Sequence, residues 1–91
     1  MATAYITLGE VVAPGIQNGE SSRSETVTTS GASASGLLLA GRNQVAVVWC
    51  ATAVYARSGG TATAATSVFC PATIPTAIGM TEGDAVSLID A

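Results

Sequence analysis

The chain has 91 residues, with 48% hydrophobic and only 10% charged residues and a net charge of −3, so it is a single small domain with little charge to coat its own surface. Its basic residues are Arg23, Arg42 and Arg57, without Lys or His. That excludes the basic cluster that nucleic-acid binding needs, and with it the commonest general base and metal ligand.

Thr and Val are abundant and no window has sustained helical periodicity, so the chain reads as all-β. A first strand is expected over Ala2–Leu8, with Tyr5 on one face and Ile6 and Leu8 on the other, extended by 10–13 up to the turn dipeptide Pro14-Gly15. The polar stretch 14–24 reads as a loop, which makes Met1–Ser24 an N-terminal strand and arm ahead of a β domain over 25–91. Glu25–Ser30 has the Thr-rich content of a strand with one solvated face. Residues 31–36 form a flexible connection, and Leu37-Leu38-Leu39 a short buried element.

After a turn at Gly41-Arg42-Asn43 comes the strongest strand signal, Gln44–Cys50. Val45, Val47 and Trp49 point one way and Ala46, Val48 and Cys50 the other. Both faces are apolar, which places this strand inside a sheet. A strand over 52–57 follows, then a hairpin turn at Ser58-Gly59-Gly60 and an antiparallel return over Thr61–Cys70. Pro71 and Pro75 confine their surroundings to a sheet edge or extended loop, from which Ile74, Ile78 and Met80 reach the core. A tight turn at 81–84 leads into a last strand over 85–89, with Val86 and Leu88 on one face. The expected product is a small antiparallel β-sandwich or barrel of about six to eight short strands.

Catalytic constellations are scarce. Ser-His-Asp, Cys-His and Ser-Lys sites are excluded by composition, which argues against an enzyme. Among the carboxylates Glu10, Glu20, Glu25, Glu82, Asp84 and Asp90, only Glu82 and Asp84 are close in sequence, as a solvated turn explains; a weak Ca²⁺ site at Asp84 is the functional alternative. No glycine run has the phosphate-loop pattern, and no cofactor is expected. Cys50 and Cys70 read either as reduced buried thiols or as a disulfide between sheet neighbours. Trp49 and Tyr55 suit core or subunit packing, with sugar stacking as the alternative, and Arg42 and Arg57 suit surface or interface ion pairs. The N-terminus lacks the basic region and apolar run of a signal peptide, and glycines and prolines break the uncharged stretch 58–81. A soluble, cytoplasmically made protein is expected.

Several segments in order carry a resemblance: Glu-Thr-Val-Thr-Thr-Ser-Gly-Ala-Ser-Ala-Ser (25–35), the strand Val45–Cys50, Val-Tyr-Ala-Arg-Ser-Gly-Gly-Thr-Ala-Thr-Ala-Ala (54–65), Pro-Ala at 71–72, and Glu-Gly-Asp-Ala-Val-Ser-Leu-Ile (82–89). Over residues 25–89 the chain resembles small virion proteins of tailed bacteriophages. The resemblance implies a decoration (cement) protein on the capsid exterior that binds the major capsid protein lattice, forms a homotrimer and has no catalytic residues. A tail-associated or host-glycan-binding minor virion protein is the alternative. Expected interface residues are Trp49, Tyr55, Arg42 and Arg57, joined by Tyr5, Ile6 and Leu8 of the arm, which would add a strand to a neighbouring sheet.

Overall fold

The computed structural model describes residues 2–13, 16–17 and 22–91. Among these there is no helix, and the chain forms β1 (Thr3–Ala13), β2 (Ile16–Gln17), β3 (Arg23–Thr28), β4 (Ala34–Ser35), β5 (Gln44–Cys50), β6 (Val54–Ser58), β7 (Val68–Cys70), β8 (Thr76–Gly79) and β9 (Val86–Asp90). Two antiparallel sheets result. The first runs β2-β1-β5-β8, with β3 also paired to β1; the second runs β4-β9-β6-β7. The all-β antiparallel class is as the sequence leads one to expect.

Alternation builds the core. Ala4, Ile6 and Leu8 of β1 and Ala46, Val48 and Cys50 of β5 turn inward from the first sheet, while Val54, Ala56, Val86 and Leu88 do so from the second. Each fully buried Ile, Leu or Val contributes about 1.5–3 kcal/mol relative to an exposed position. The inner set of β5 is the less bulky of its two apolar faces, because its neighbour β1 has its aliphatic residues on that side and Tyr5 and Thr7 on the other. β5 lies between β1 and β8, inside the sheet as expected.

Five expectations are corrected. Residues 3–10 are not an appended arm: β1 is hydrogen-bonded to β3 on one side and β5 on the other, so its edges are not open to a neighbouring sheet. The stretch 14–24 is not all loop, since it contains β2 and the start of β3; its residues 14, 15 and 18–21, Glu20 among them, lie outside the described residues.

The Leu37–Leu39 triplet is not a buried element. Leu37 is 91% and Leu39 55% exposed; of the three only Leu38, half-buried, packs against the core, to which Ala40 also belongs. Its backbone is held instead by the Glu25 carboxylate, which accepts hydrogen bonds from the N–H groups of Leu37 and Leu38. Ile74, expected in the core, is 55% exposed on the turn between Pro71 and Pro75, whereas Ile78 is buried and Met80 packs against the core.

The return after Gly59-Gly60 is shorter than expected: only Val68–Cys70 pairs with β6. Both glycines have left-handed φ, +65° and +66°, which turns the chain away from β6. Residues 60–67 fold back on themselves and on β9. Gly60 O accepts from Ser87 Oγ at 2.8 Å, Ala62 N–H donates to Ser33 Oγ at 2.9 Å, and the Thr63 and Thr66 hydroxyls lie 2.7 Å apart. Local hydroxyl bonds of this kind compete with strand pairing.

Candidate docking faces

Because side chains alternate, each sheet has an outer face, and the two differ in charge. On the first sheet the outward rows are Thr26–Tyr5–Trp49, Ser24–Thr7–Val47–Ala77 and Gly9–Val45–Gly79. None of these residues is charged. Tyr5 is 53% exposed and its ring lies 5.7 Å from that of Trp49, with the planes 55° apart. This distance falls within the range of a favourable aromatic pair.

On the second sheet the outward rows are Phe69–Tyr55–Ile89 and Arg57–Ser87–Ser35. Tyr55 and Phe69 form an edge-on pair at 5.5 Å, and Phe69 is half exposed. Ser87 is buried although it points outward, because the 60–67 segment covers it; its hydroxyl donates to Gly60 O and lies 3.1 Å from Ser35 Oγ.

The expected interface residues are thus divided. Trp49 is not a core residue but lies half-buried on the first outer face beside Tyr5, and Tyr55 and Arg57 lie on the second. Ile6 and Leu8 are fully buried between the sheets and cannot touch a partner. Arg42 is exposed in the 41–43 turn. Neither Arg42 nor Arg57 has a carboxylate partner among the described residues, and Arg57 Nε is buried without an acceptor. Phe69 is an aromatic that sequence reasoning passed over; its position opposite Tyr55 was hidden by the overlong expected return strand.

The remaining polar groups serve the fold. Arg23 donates to Leu39 O at 2.7 Å and to Gln44 Oε1 at 2.8 Å. Asp84 accepts from the Ser58 hydroxyl at 3.2 Å, and no group of three or more His, Cys, Asp or Glu side chains gathers among the described residues. Cys50 and Cys70 are both buried and free. Burial is the main cause that pushes the Cys70 thiol up; a hydrogen bond with Thr76 opposes this and the nearby Cys50 adds to it. No protein-family model, curated protein or solved structure matches the chain.

Proposed function

We propose that this protein is a decoration protein of a tailed-phage head, a homo-oligomer that docks on the major capsid protein lattice through the outer face of its first sheet. The observation that carries this reading is that face itself: an uncharged surface of Thr, Ser, Val and Gly around the pair formed by the exposed Tyr5 and the half-buried Trp49. Low charge with central aromatic residues is the composition of the buried centre of a protein–protein interface. The order of sequence motifs over 25–89 supplies the class of partner. A cement protein stabilises a shell because a capsomer cannot leave without also breaking the contacts of the protein that spans it, and a homotrimer suits three-fold points of the lattice.

Quantitative mass spectrometry of purified particles, with complete virions and tail-less heads analysed separately, tests this. Copies retained on tail-less heads at a simple fraction of the capsid-protein count are the expected result. A few copies confined to tailed particles would favour a tail-associated, glycan-binding protein, in which Tyr5 and Trp49 would stack on a sugar. Absence from both would end the virion reading.

A further inference from the structure

The first sheet ends on β3, and the bonding there is one-sided. Thr29 N–H donates to Ala2 O at 2.6 Å, so the backbone of Thr29 points at β1, and alternation turns Val27, Glu25 and Arg23 the same way. The N–H and C=O groups of Ser24, Thr26 and Thr28 therefore point away from β1. No other segment among the described residues pairs with them, and all three residues are exposed. The same alternation, carried through β1 to β5, sends Cys50 O to the side of β8, where it does accept the Thr73 N–H at 2.8 Å.

Exposed sheet edges are commonly guarded by Lys, Pro, a bulge or inward-pointing charges. Arg23–Thr28 contains no Lys or Pro, and its register with β1 is unbroken. Its two charges are spent within the chain, Arg23 on Leu39 O and Gln44, Glu25 on the Leu37 and Leu38 amides. An open row of alternating donors and acceptors is satisfied by another extended backbone, and this strand is complementary to itself. Turned about a two-fold axis at Thr26, it sets Thr26 opposite Thr26 of the second copy and Ser24 opposite Thr28, so that every open N–H and C=O of the row is paired. Hydroxyl side chains then face hydroxyl side chains, which favours the pairing, while Glu25 opposes Val27 and Arg23 opposes Thr29. An axis at Glu25 would oppose two carboxylates, and one at Val27 would set Ser24 against Ser30, whose carbonyl already accepts the Asp90 N–H. Leu37, 91% exposed, is tied through its N–H to Glu25, one residue from the Thr26 axis, and brings apolar area to the contact.

We infer that β3 pairs antiparallel with β3 of a second copy about a two-fold axis at Thr26, so that β8-β5-β1-β3 of one copy runs on into β3-β1-β5-β8 of the other. The contact is isologous and joins the uncharged outer faces of two first sheets into one. It goes beyond the proposed function and rests on the fold alone; on a capsid lattice it would link copies at neighbouring three-fold points in twos. Sedimentation equilibrium on the purified chain across the micromolar range tests it, with disulfide trapping to read the register. The wild type is expected to dimerise. Thr26→Pro removes an N–H that the fold does not use, so it should keep a cooperative thermal melt and weaken association roughly tenfold or more. Thr26→Cys, oxidised in the native state, should form a disulfide between copies, because Cα atoms opposite each other in such a pair are about 5.5 Å apart. Thr28→Cys should not, because its two copies stand about 13 Å apart along the strands. A wild type that stays monomeric overturns the contact, as does a folded Thr26→Pro variant that associates like wild type. Should that variant not fold, the trapping decides: Thr28→Cys joining copies as readily as Thr26→Cys overturns the register and the contact with it. None of these results bears on whether the protein sits on the head, which the particle mass spectrometry decides separately.

Discussion

Glu25 holds Leu37 from across a gap in the chain: its Oε1 accepts the Leu37 N–H at 2.7 Å, while Oε2 accepts the Leu38 N–H at 3.1 Å. The carboxylate thereby takes up the two amides between the backbone bonds that Gly36 N–H and Ala40 N–H make to Val86 O and Asp84 O, and it fills the place where a Cβ on Gly36 would stand. Hydrogen bonds to a charged acceptor are worth about 1.5–3 kcal/mol each when well formed, less where solvent competes. Glu25→Ala should lower stability by about 1–3 kcal/mol and open the 36–40 segment to proteolysis. Gly36→Ala, by displacing the same carboxylate, should do much the same, and the double variant should cost far less than the sum. Additive losses in urea unfolding would show that the two positions act separately.

The Gly59-Gly60 pair separates backbone strain from side-chain collision. Both glycines have left-handed φ, but a Cβ on Gly59 would stand 2.7 Å from Asp84 Oδ2, whereas one on Gly60 would make only a 3.4 Å contact with Arg57 Cζ. Gly60→Ala should therefore cost about 1 kcal/mol through conformation alone, and Gly59→Ala more, because Asp84 must leave Ser58. Equal losses for the two variants would mean that the Asp84 contact has no energetic weight.

Two thiols per chain should titrate in denaturant without reductant, because Cys50 and Cys70 are unbonded; in the native state both should react far more slowly, being buried. The upward push that burial gives the Cys70 thiol adds to this protection by disfavouring its thiolate. Zero thiols in denaturant would mean that a disulfide joins the sheets.

Much of this architecture was legible because it follows from alternation. The two faces of Gln44–Cys50, the inward Ile6 and Leu8, and the pairing of Val86 with Leu88 on one face all depend on period two, and all are found in the structure. What period two leaves open is which face is inside. In β5 the bulkier set, Val45, Val47 and Trp49, lies outside, because the choice is made by the neighbouring strand β1, a contact made at long sequence separation. The Leu37–Leu39 run misled for a related reason. Its apolar residues were read by composition, yet the backbone is held by the Glu25 carboxylate twelve residues before Leu37, with Leu38 against the core and Leu37 and Leu39 exposed. For the docking faces, sequence singled out Trp49, Tyr55 and Arg57, but the partners that define them, Tyr5, Phe69 and Gly60, appear only once the strands are in register.

The end of β9 gives the fold an acid-sensitive point. Asp90 N–H donates to Ser30 O at 2.9 Å, and the buried Thr29 bonds to Ala2 through both backbone and hydroxyl, so both ends of the chain are tied to the 29–30 segment. The Thr29 hydroxyl is the main cause that holds the Asp90 carboxyl below the ordinary value of 3.8, with burial opposing it. A carboxylate whose folded pKa lies below its unfolded one binds fewer protons in the native state. Its contribution to stability is therefore complete above the unfolded value and is lost as pH falls through the folded one. Urea unfolding measured from neutral pH downward should show stability falling once pH drops below about 4. Asp90→Asn should flatten that fall while leaving a protein that is less stable than wild type at neutral pH. An Asn variant whose acid limb is as steep as the wild type's would place the sensitivity on another carboxylate, with Glu25, bound to the Leu37 and Leu38 amides, the next to replace.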